Sequence, residues 1–134
     1  MKVVVDSNII FSALLKSPNR YCDTICLSGD EFYTPKFMFV EIFKYKERIV
    51  RQSKMPEEEV LEMLYRLILN LRFFDETLIS TRNFLRAFQL VKDTDRNDLI
   101  FVALTFEIGG KLWTSDLELK NGLRAGGFDG FYEP

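Results

Sequence analysis

The 134-residue chain contains no histidine, which excludes Ser-His and Cys-His nucleophile pairs and every zinc site that needs imidazole. With 47% hydrophobic residues, it has the size and composition of one domain, residues 1–134, that can bury a core. Its formal net charge of −2 gives no global attraction to nucleic acid, so a polyanionic substrate would need a local basic patch or bound cations. Any catalysis must therefore use carboxylates, hydroxyls, lysine or a hard metal ion.

The start of the chain indicates an intracellular environment, and its two cysteines fit a helix face. Asp6 comes too early for a secretory signal, and no run of about twenty apolar residues lacks charges, so we predict a cytoplasmic protein with no membrane segment. Cys22 and Cys26 lie four residues apart in a predicted helix, with no further cysteine or histidine to complete a zinc site. We interpret both as core cysteines.

Short apolar runs alternate with amphipathic segments, as is typical of strands alternating with helices. The first run ends on Asp6, and Ser7 and Asn8 are suited to cap the helix after it. A longer helix is expected from Pro35, as a first helical residue, to about Gln52. The predicted strands cover residues 2–6, 31–34, 71–74 and 111–113, and the predicted helices cover residues 9–14, 21–27, 35–52, 56–68, 79–92 and the apolar run from Asp98 to the Gly109-Gly110 stop.

This alternation predicts an α/β fold, a three-layer α/β/α arrangement with a mainly parallel central sheet. Asp6 and Asp116 both come at or just past the end of a predicted strand. The carboxyl ends of parallel strands share one edge of a sheet, so we expect these acids on the same edge. The helix that begins near Asp98 leads directly into the strand before Asp116. Acids far apart in the sequence therefore converge in this interpretation.

Carboxylates gathered at one edge repel each other, and partial protonation or a cation must offset that repulsion. Mg²⁺ and Mn²⁺ are hard ions that take carboxylate oxygens and can activate water against a phosphodiester. Asp95 and Asp98 are three residues apart, on the same side of a first helical turn. Each acid taken alone fits an ordinary helix cap equally well. It is their combination that favours a metal site.

Four sequence motifs carry a resemblance to a known family. In chain order they are Val3–Ile10 followed by Ser12–Leu15, Tyr33–Pro35 with Glu41 six residues past the proline, Asp98–Leu104, and Trp113–Asp116. In this order, with strands and helices between them, they resemble the PIN domains over nearly the whole chain. PIN domains are metal-dependent ribonucleases that include the VapC-type toxins of many toxin-antitoxin pairs.

The resemblance implies roles for individual residues. Asp6, Asp98 and Asp116 would bind Mg²⁺ or Mn²⁺ directly, and Glu41 would bind it directly or through water and position the attacking water. Asp95 matches an additional acid of some members and also fits a helix cap. Asn8 and Ser115 would orient the acids from beside them. Asp93 and Glu107 are interpreted as solvated surface acids.

The helix expected over residues 35–52 is locally basic in an acidic protein. Its basic residues either form a solvated face or hold RNA phosphates. Phe39, Ile42 and Phe43 are expected to face inward, although Phe37, Phe39 and Phe43 also fit a groove for a second copy of the chain or an antitoxin. We therefore expect an RNA substrate, an antitoxin protein and a homodimer as partners. The candidate RNA-binding residues are Lys36, Lys44, Lys46, Arg48 and Arg51.

Two other functions compete with an RNA-cleaving enzyme. The first is a PIN-like module that binds RNA or protein without cleaving. The second is a receiver-type phosphoacceptor domain, which is also α/β, acidic and magnesium-dependent. Receivers place an acid pair after the first strand, where this chain has only Asp6. The missing acid pair and the order of the four motifs favour the nuclease.

Overall fold

The computed structural model describes residues 1–16, 18–92 and 96–134, and within these ranges strands and helices alternate along the chain. A 3-10 turn, Glu76–Leu78, follows the third strand. The strands are β1 (Lys2–Val5), β2 (Glu31–Pro35), β3 (Leu71–Phe74) and β4 (Lys111–Trp113), and the helices are α1 (Ser7–Ala13), α2 (Arg20–Leu27), α3 (Phe37–Lys44), α4 (Lys46–Ser53), α5 (Glu57–Asn70), α6 (Thr81–Val91), α7 (Arg96–Ile108) and α8 (Leu117–Ala125).

The four strands form one parallel sheet in the order β3-β2-β1-β4. The chain first extends the sheet from β1 through β2 to β3, and then returns to place β4 on the other side of β1. Val5 at the end of β1 pairs with Trp113 at the end of β4, so these two strands finish level with each other. The predicted parallel α/β fold is confirmed.

Helices cover the sheet and complete the three layers that the sequence predicts. Helix α7 packs against β1, β2 and β4, and α6 packs against α7 and α8. Helix α2 packs against α1 and α5, and α5 also contacts β3. With helices on both faces, the β1 residues Val3, Val4 and Val5 have no solvent exposure. This is why β1 is a continuous run of valines without polar alternation.

Helix α7 is buried on every side over its middle, from Phe101 to Thr105. The single polar side chain in this stretch, Thr105, donates its hydroxyl to the carbonyl of Phe101 at 2.8 Å, so its polar atom is satisfied within the helix. No helix of the described ranges is both long and apolar enough to cross a bilayer.

Both cysteines are free thiols, as predicted. Cys22 is buried in the core and Cys26 is half-buried beside it. Burial, and then the neighbouring Cys26 thiol, raises the pKa of Cys22 to about 11. The Cys22 thiol is therefore protonated at neutral pH and contributes packing to the core.

The start of α3 differs from the sequence-based expectation. Pro35 is the last residue of β2, opposite Phe74 of β3, and the helix begins at Phe37. A proline φ near −65° suits a strand end as well as a first helical turn, so the residue type alone did not distinguish the two positions.

The single helix predicted over residues 35–52 is in fact two helices, α3 and α4, which meet at Tyr45. Tyr45 has a φ of −101° and a ψ of 9°, and its ring packs edge-on against Phe11 of α1 at 6.1 Å. The inward face of α3 is also shifted: Met38 and Ile42 are each 1% exposed, whereas Phe39 and Phe43 are 43% and 48% exposed.

Candidate active site

The strand order defines where a ligand crevice should lie. In open parallel sheets, ligands bind outside the carboxyl ends of the strands, at the point where the strand order reverses. Here that point lies between β1 and β4. Since Val5 pairs with Trp113, the next residues of the two strands, Asp6 and Thr114, leave the sheet side by side.

Asp6 is 3% exposed, and both of its carboxylate oxygens accept hydrogen bonds. Oδ1 accepts from the backbone N–H of Ser7 at 2.8 Å, which makes Asp6 the N-cap of α1. Oδ2 accepts from the hydroxyl of Thr114 at 2.6 Å, and the backbone N–H of Asp6 donates to the carbonyl of Trp113 at 3.0 Å. The carboxylate is therefore fixed by contacts from its own helix and from the neighbouring strand.

Asp116 is held by the same threonine. Its backbone N–H donates to Oγ1 of Thr114 at 3.1 Å, and its carboxylate accepts from the backbone N–H of Leu119 at 3.1 Å as the N-cap of α8. Thr114 thus contacts Asp6 through its hydroxyl hydrogen and Asp116 through its hydroxyl oxygen. The two acids are positioned relative to each other through one side chain.

The electrostatics of this pair suit a cation. Burial raises the pKa of Asp6, and the negative charge of Asp116 adds to the rise, while the hydrogen bonds from Thr114 and Ser7 lower it in part. The ion pairs formed by the described side chains include neither acid. Carboxylate oxygens without an ammonium or guanidinium partner are the donors that Mg²⁺ or Mn²⁺ takes, so the residues present fit a divalent ion.

Asp98 and Glu41 lie on two different helices, α7 and α3. Asp98 is half-buried in the first turn of α7, and Glu41 is half-buried in α3, which follows β2. Within the ranges that the structure describes, no three acidic or thiol side chains form a group that could hold a metal ion. The convergence of all four acids remains a prediction, and Asp93 and Asp95 lie outside the described residues.

The sequence interpretation assigned the supporting role to Asn8 and Ser115, both of which are exposed, and the structure does not test that role. The structure instead shows that Ser7 and Thr114 donate the hydrogen bonds that hold the Asp6 carboxylate. The sequence did contain a signal for Thr114: it directly follows its strand, just as Asp6 directly follows β1.

The predicted RNA-binding residues follow β2 and continue along α3 and α4. Lys36 is exposed at the end of β2. Lys46 forms an ion pair with Glu57 at 3.6 Å, and Lys44 lies 5.3 Å from the centre of the Tyr45 ring. Contact of this helical pair with RNA stays a prediction.

Glu107, interpreted from the sequence as a solvated surface acid, also has a structural role that the sequence did not reveal. Its carboxylate accepts from the backbone N–H of Ser80 at 2.8 Å and from Nδ2 of Asn83 at 3.0 Å. These hydrogen bonds, led by that of Ser80, lower the pKa of Glu107. The side chain thereby fastens the N-terminus of α6 to α7.

Comparison with known proteins identifies the family of the chain. A search among curated proteins finds no match to the chain. The family profile described as PIN domain matches residues 4–128, which include the end of β1, all of β4 and all four predicted acids. The chain therefore belongs to the PIN domain family, whose members are generally nucleases that use divalent metal ions.

Proposed function

We propose that this PIN domain is an Mg²⁺- or Mn²⁺-dependent endoribonuclease that hydrolyses RNA phosphodiester bonds, in the cytoplasm, as the toxin of a toxin-antitoxin pair or as a housekeeping enzyme. The observation that carries the proposal is the buried Asp6 carboxylate, tied through Thr114 to Asp116 at the β1–β4 crevice. Family membership supports nuclease chemistry in general.

In this proposal, Asp6 and Asp116 hold the divalent ion, joined by Asp98 and Glu41 as the family resemblance implies. A bound divalent ion would activate water and offset negative charge on the scissile phosphate. Thr114 fixes the Asp6 carboxylate so that it does not reorient between turnovers. Glu41 positions the attacking water beside the phosphate.

Cleavage of labelled single-stranded RNA tests the activity. We expect cleavage in Mg²⁺ or Mn²⁺, loss of cleavage with EDTA, and loss in Asp6→Asn. Glu62→Gln, which neutralises an exposed acid on α5, is the matched control and should cleave like the wild type. RNA binding without cleavage in either metal would favour the binding-module alternative, and cleavage that persists in Asp6→Asn would point to a contaminant.

Metal binding can be measured without activity. Mn²⁺ should raise the melting temperature of the wild type, because a ligand that binds only the folded state stabilises it. Asp98→Asn should weaken this response. Equal shifts in the two proteins would contradict a role for Asp98 as a ligand.

The toxin assignment adds an antitoxin and a homodimer to the proposal. The exposed rings of Phe39 and Phe43 support a surface that a partner covers. Measured between ring centres, Phe39 lies 5.0 Å from Phe43 and 5.5 Å from the half-buried Phe73. Light scattering should give the mass of a dimer, and Phe43→Ser should shift it towards the monomer. A wild-type monomer at micromolar concentration would contradict the dimer.

A further inference from the structure

A cleft of about 410 Å³ lies at the end of β4. Part of its wall is Thr114 and Ser115, and another part is the first turn of α2 with Arg20 and Tyr21. Lys120 of α8 also lines it. The cleft therefore gathers side chains from three elements around the carboxyl end of one strand.

Thr114 connects the cleft to the acid pair. Thr114, which lines it, donates to Asp6 at 2.6 Å and accepts from the backbone N–H of Asp116 at 3.1 Å. Ile9, from the first turn of the helix that Asp6 caps, lines it as well. A chain bound in this cleft would thus lie beside Thr114, the residue that contacts both Asp6 and Asp116.

The side chains of the cleft match the chemistry of a nucleotide chain. The Arg20 guanidinium lies 5.0 Å from the centre of the Tyr21 ring, and its Nη2 donates to the Tyr21 hydroxyl at 3.2 Å. Tyr21 in turn packs against Trp113, with 5.8 Å between ring centres. A cation beside a supported aromatic ring offers one phosphate contact and one stacking surface, the combination that single-stranded nucleic acid uses.

Lys120 is the second cation of the cleft, and its ammonium group already forms an ion pair with Glu133. The two Glu133 oxygens lie 3.2 and 3.4 Å from Nζ of Lys120, and Nη2 of Arg124 lies 3.7 Å from Glu133. Glu133 also lines the cleft, and its side chain is 61% exposed. The glutamate carboxylate therefore takes the place at Lys120 that a phosphate oxygen would take.

We infer that this cleft binds the backbone of single-stranded RNA beside the scissile bond. Arg20 and Lys120 contact phosphates, Tyr21 stacks on a base, and Glu133 weakens binding by competing for Lys120. This inference rests on the proposed ribonuclease function, because that function places the scissile bond beside Asp6 and Asp116. It makes the α2–α8 side of the crevice, and not the basic α3–α4 pair, the principal RNA contact.

Fluorescence anisotropy with a labelled single-stranded RNA in EDTA tests binding apart from cleavage. Arg20→Met and Lys120→Met should each weaken binding about tenfold and lower the slope of log affinity against log salt by about 0.7, as expected when one phosphate contact is lost. Methionine retains the length of the lysine stem, so Lys120→Met should remain folded. Glu133→Gln should tighten binding, because it removes the competing charge.

Lys111→Met is the matched control, because Lys111 is an exposed lysine at the amino end of β4, on the opposite edge of the sheet. Its affinity should equal that of the wild type. Unchanged binding in Arg20→Met and Lys120→Met, together with weakened binding in Arg48→Met, would move the RNA to α4 and overturn the inference. An unchanged affinity in Glu133→Gln would contradict the claim that Glu133 competes with RNA for Lys120.

Cleavage by the same preparations separates this inference from the proposed function. A wild type that cleaves RNA, with an unchanged KM in Arg20→Met and Lys120→Met, would overturn the cleft assignment and leave the nuclease intact. A wild type that binds RNA through these residues without cleaving would overturn the nuclease and leave the cleft. A wild type that neither binds nor cleaves would overturn both.

Discussion

The Thr114 hydroxyl donates a 2.6 Å hydrogen bond to Oδ2 of Asp6, although 108 positions separate the two residues in the chain. The same hydroxyl oxygen accepts from the backbone N–H of Asp116. The Thr114 side chain therefore sets the geometry of the acid pair through two hydrogen bonds. Substitutions of Thr114 can measure the effects of these bonds on stability and on activity separately.

Thr114→Val should destabilise the protein and reduce RNA cleavage. Valine has a similar shape but no hydroxyl, so Oδ2 of Asp6 and the N–H of Asp116 each lose a partner. Thr114 is 2% exposed, and an unsatisfied buried group costs about 1–3 kcal/mol. Urea unfolding measures the loss in free energy, and single-turnover cleavage measures the loss in rate.

Thr114→Ser is the control for that change, because serine keeps the hydroxyl and removes only a methyl group. It should retain most of the cleavage rate. If Thr114→Ser loses as much activity as Thr114→Val, the methyl contact and not the hydrogen bond would be the important feature.

Asp6→Asn should raise the melting temperature at pH 7 in EDTA. Burial raises the folded-state pKa of Asp6 above its ordinary value of 3.8, so the ionised carboxylate lowers the free energy of unfolding whenever the pH exceeds the folded-state pKa. This penalty disappears as the pH falls through the folded-state pKa towards 3.8. The gain from asparagine should therefore shrink on acidification, which thermal melts between pH 7 and pH 4 would show.

Asp129→Asn, which removes an exposed carboxylate from a surface ion pair with Arg124, controls for the loss of one negative charge. It should lack the stabilisation at pH 7. An Asp6→Asn protein that is less stable than the wild type at every pH would contradict the assigned cost of burying this charge.

Asn19→Ala should cost about 2 kcal/mol. Asn19 is 5% exposed and caps α2, accepting from the backbone N–H groups of Tyr21 at 2.9 Å and Cys22 at 3.1 Å. Its Nδ2 also donates to the carbonyl of Ser12 at 2.7 Å, so alanine removes a cap and leaves a carbonyl without that donor. For a chain of this size the melting temperature should fall by roughly 6–10 °C.

Ser80→Ala is the comparison for Asn19→Ala. Ser80 is an exposed cap whose side chain accepts from the N–H of Asn83 at 3.3 Å, so its loss should be about 1 kcal/mol or less. Equal losses in the two variants would show that the contact between Asn19 and Ser12 adds nothing.

Glu107→Gln should lower stability at neutral pH and have little effect in acid. Hydrogen bonds from Ser80 and Asn83 lower the folded-state pKa of Glu107 below 4.5, so its charge stabilises the fold above pH 4.5, and this contribution disappears as the pH falls through the folded-state pKa. Glutamine retains an acceptor oxygen but no charge. Melting curves of both proteins from pH 7 to pH 3 should therefore converge, and a constant difference would contradict the assignment.

The sequence was sufficient for features set by local pattern. β3 and β4 have the predicted bounds, because short apolar runs between polar or glycine residues leave little choice of ends. The common edge for Asp6 and Asp116 was also predictable, since parallel strands place their carboxyl ends together. That β4 lies next to β1 required the strand order, which no local pattern encodes.

Contacts between distant residues account for what the sequence interpretation missed. No proline or glycine lies at the helix break at Tyr45, so no local signal in the sequence indicates it. The Tyr45 ring packs against Phe11, which belongs to another helix. Glu107 reads as a solvated acid until Ser80 and Asn83 are seen beside it. In the sequence, Thr114 is only a polar residue after a strand, and its role becomes clear from its hydrogen bond to Asp6 in the structure.

The position of β4 beside β1 has a consequence for protein synthesis. Trp113 is synthesised 108 residues after its partner Val5, so the crevice has only one wall during that interval. At the usual rate of elongation this interval lasts on the order of ten seconds. If the domain cleaves RNA, the nascent chain remains harmless to the messenger that encodes it until the fourth strand has joined the sheet.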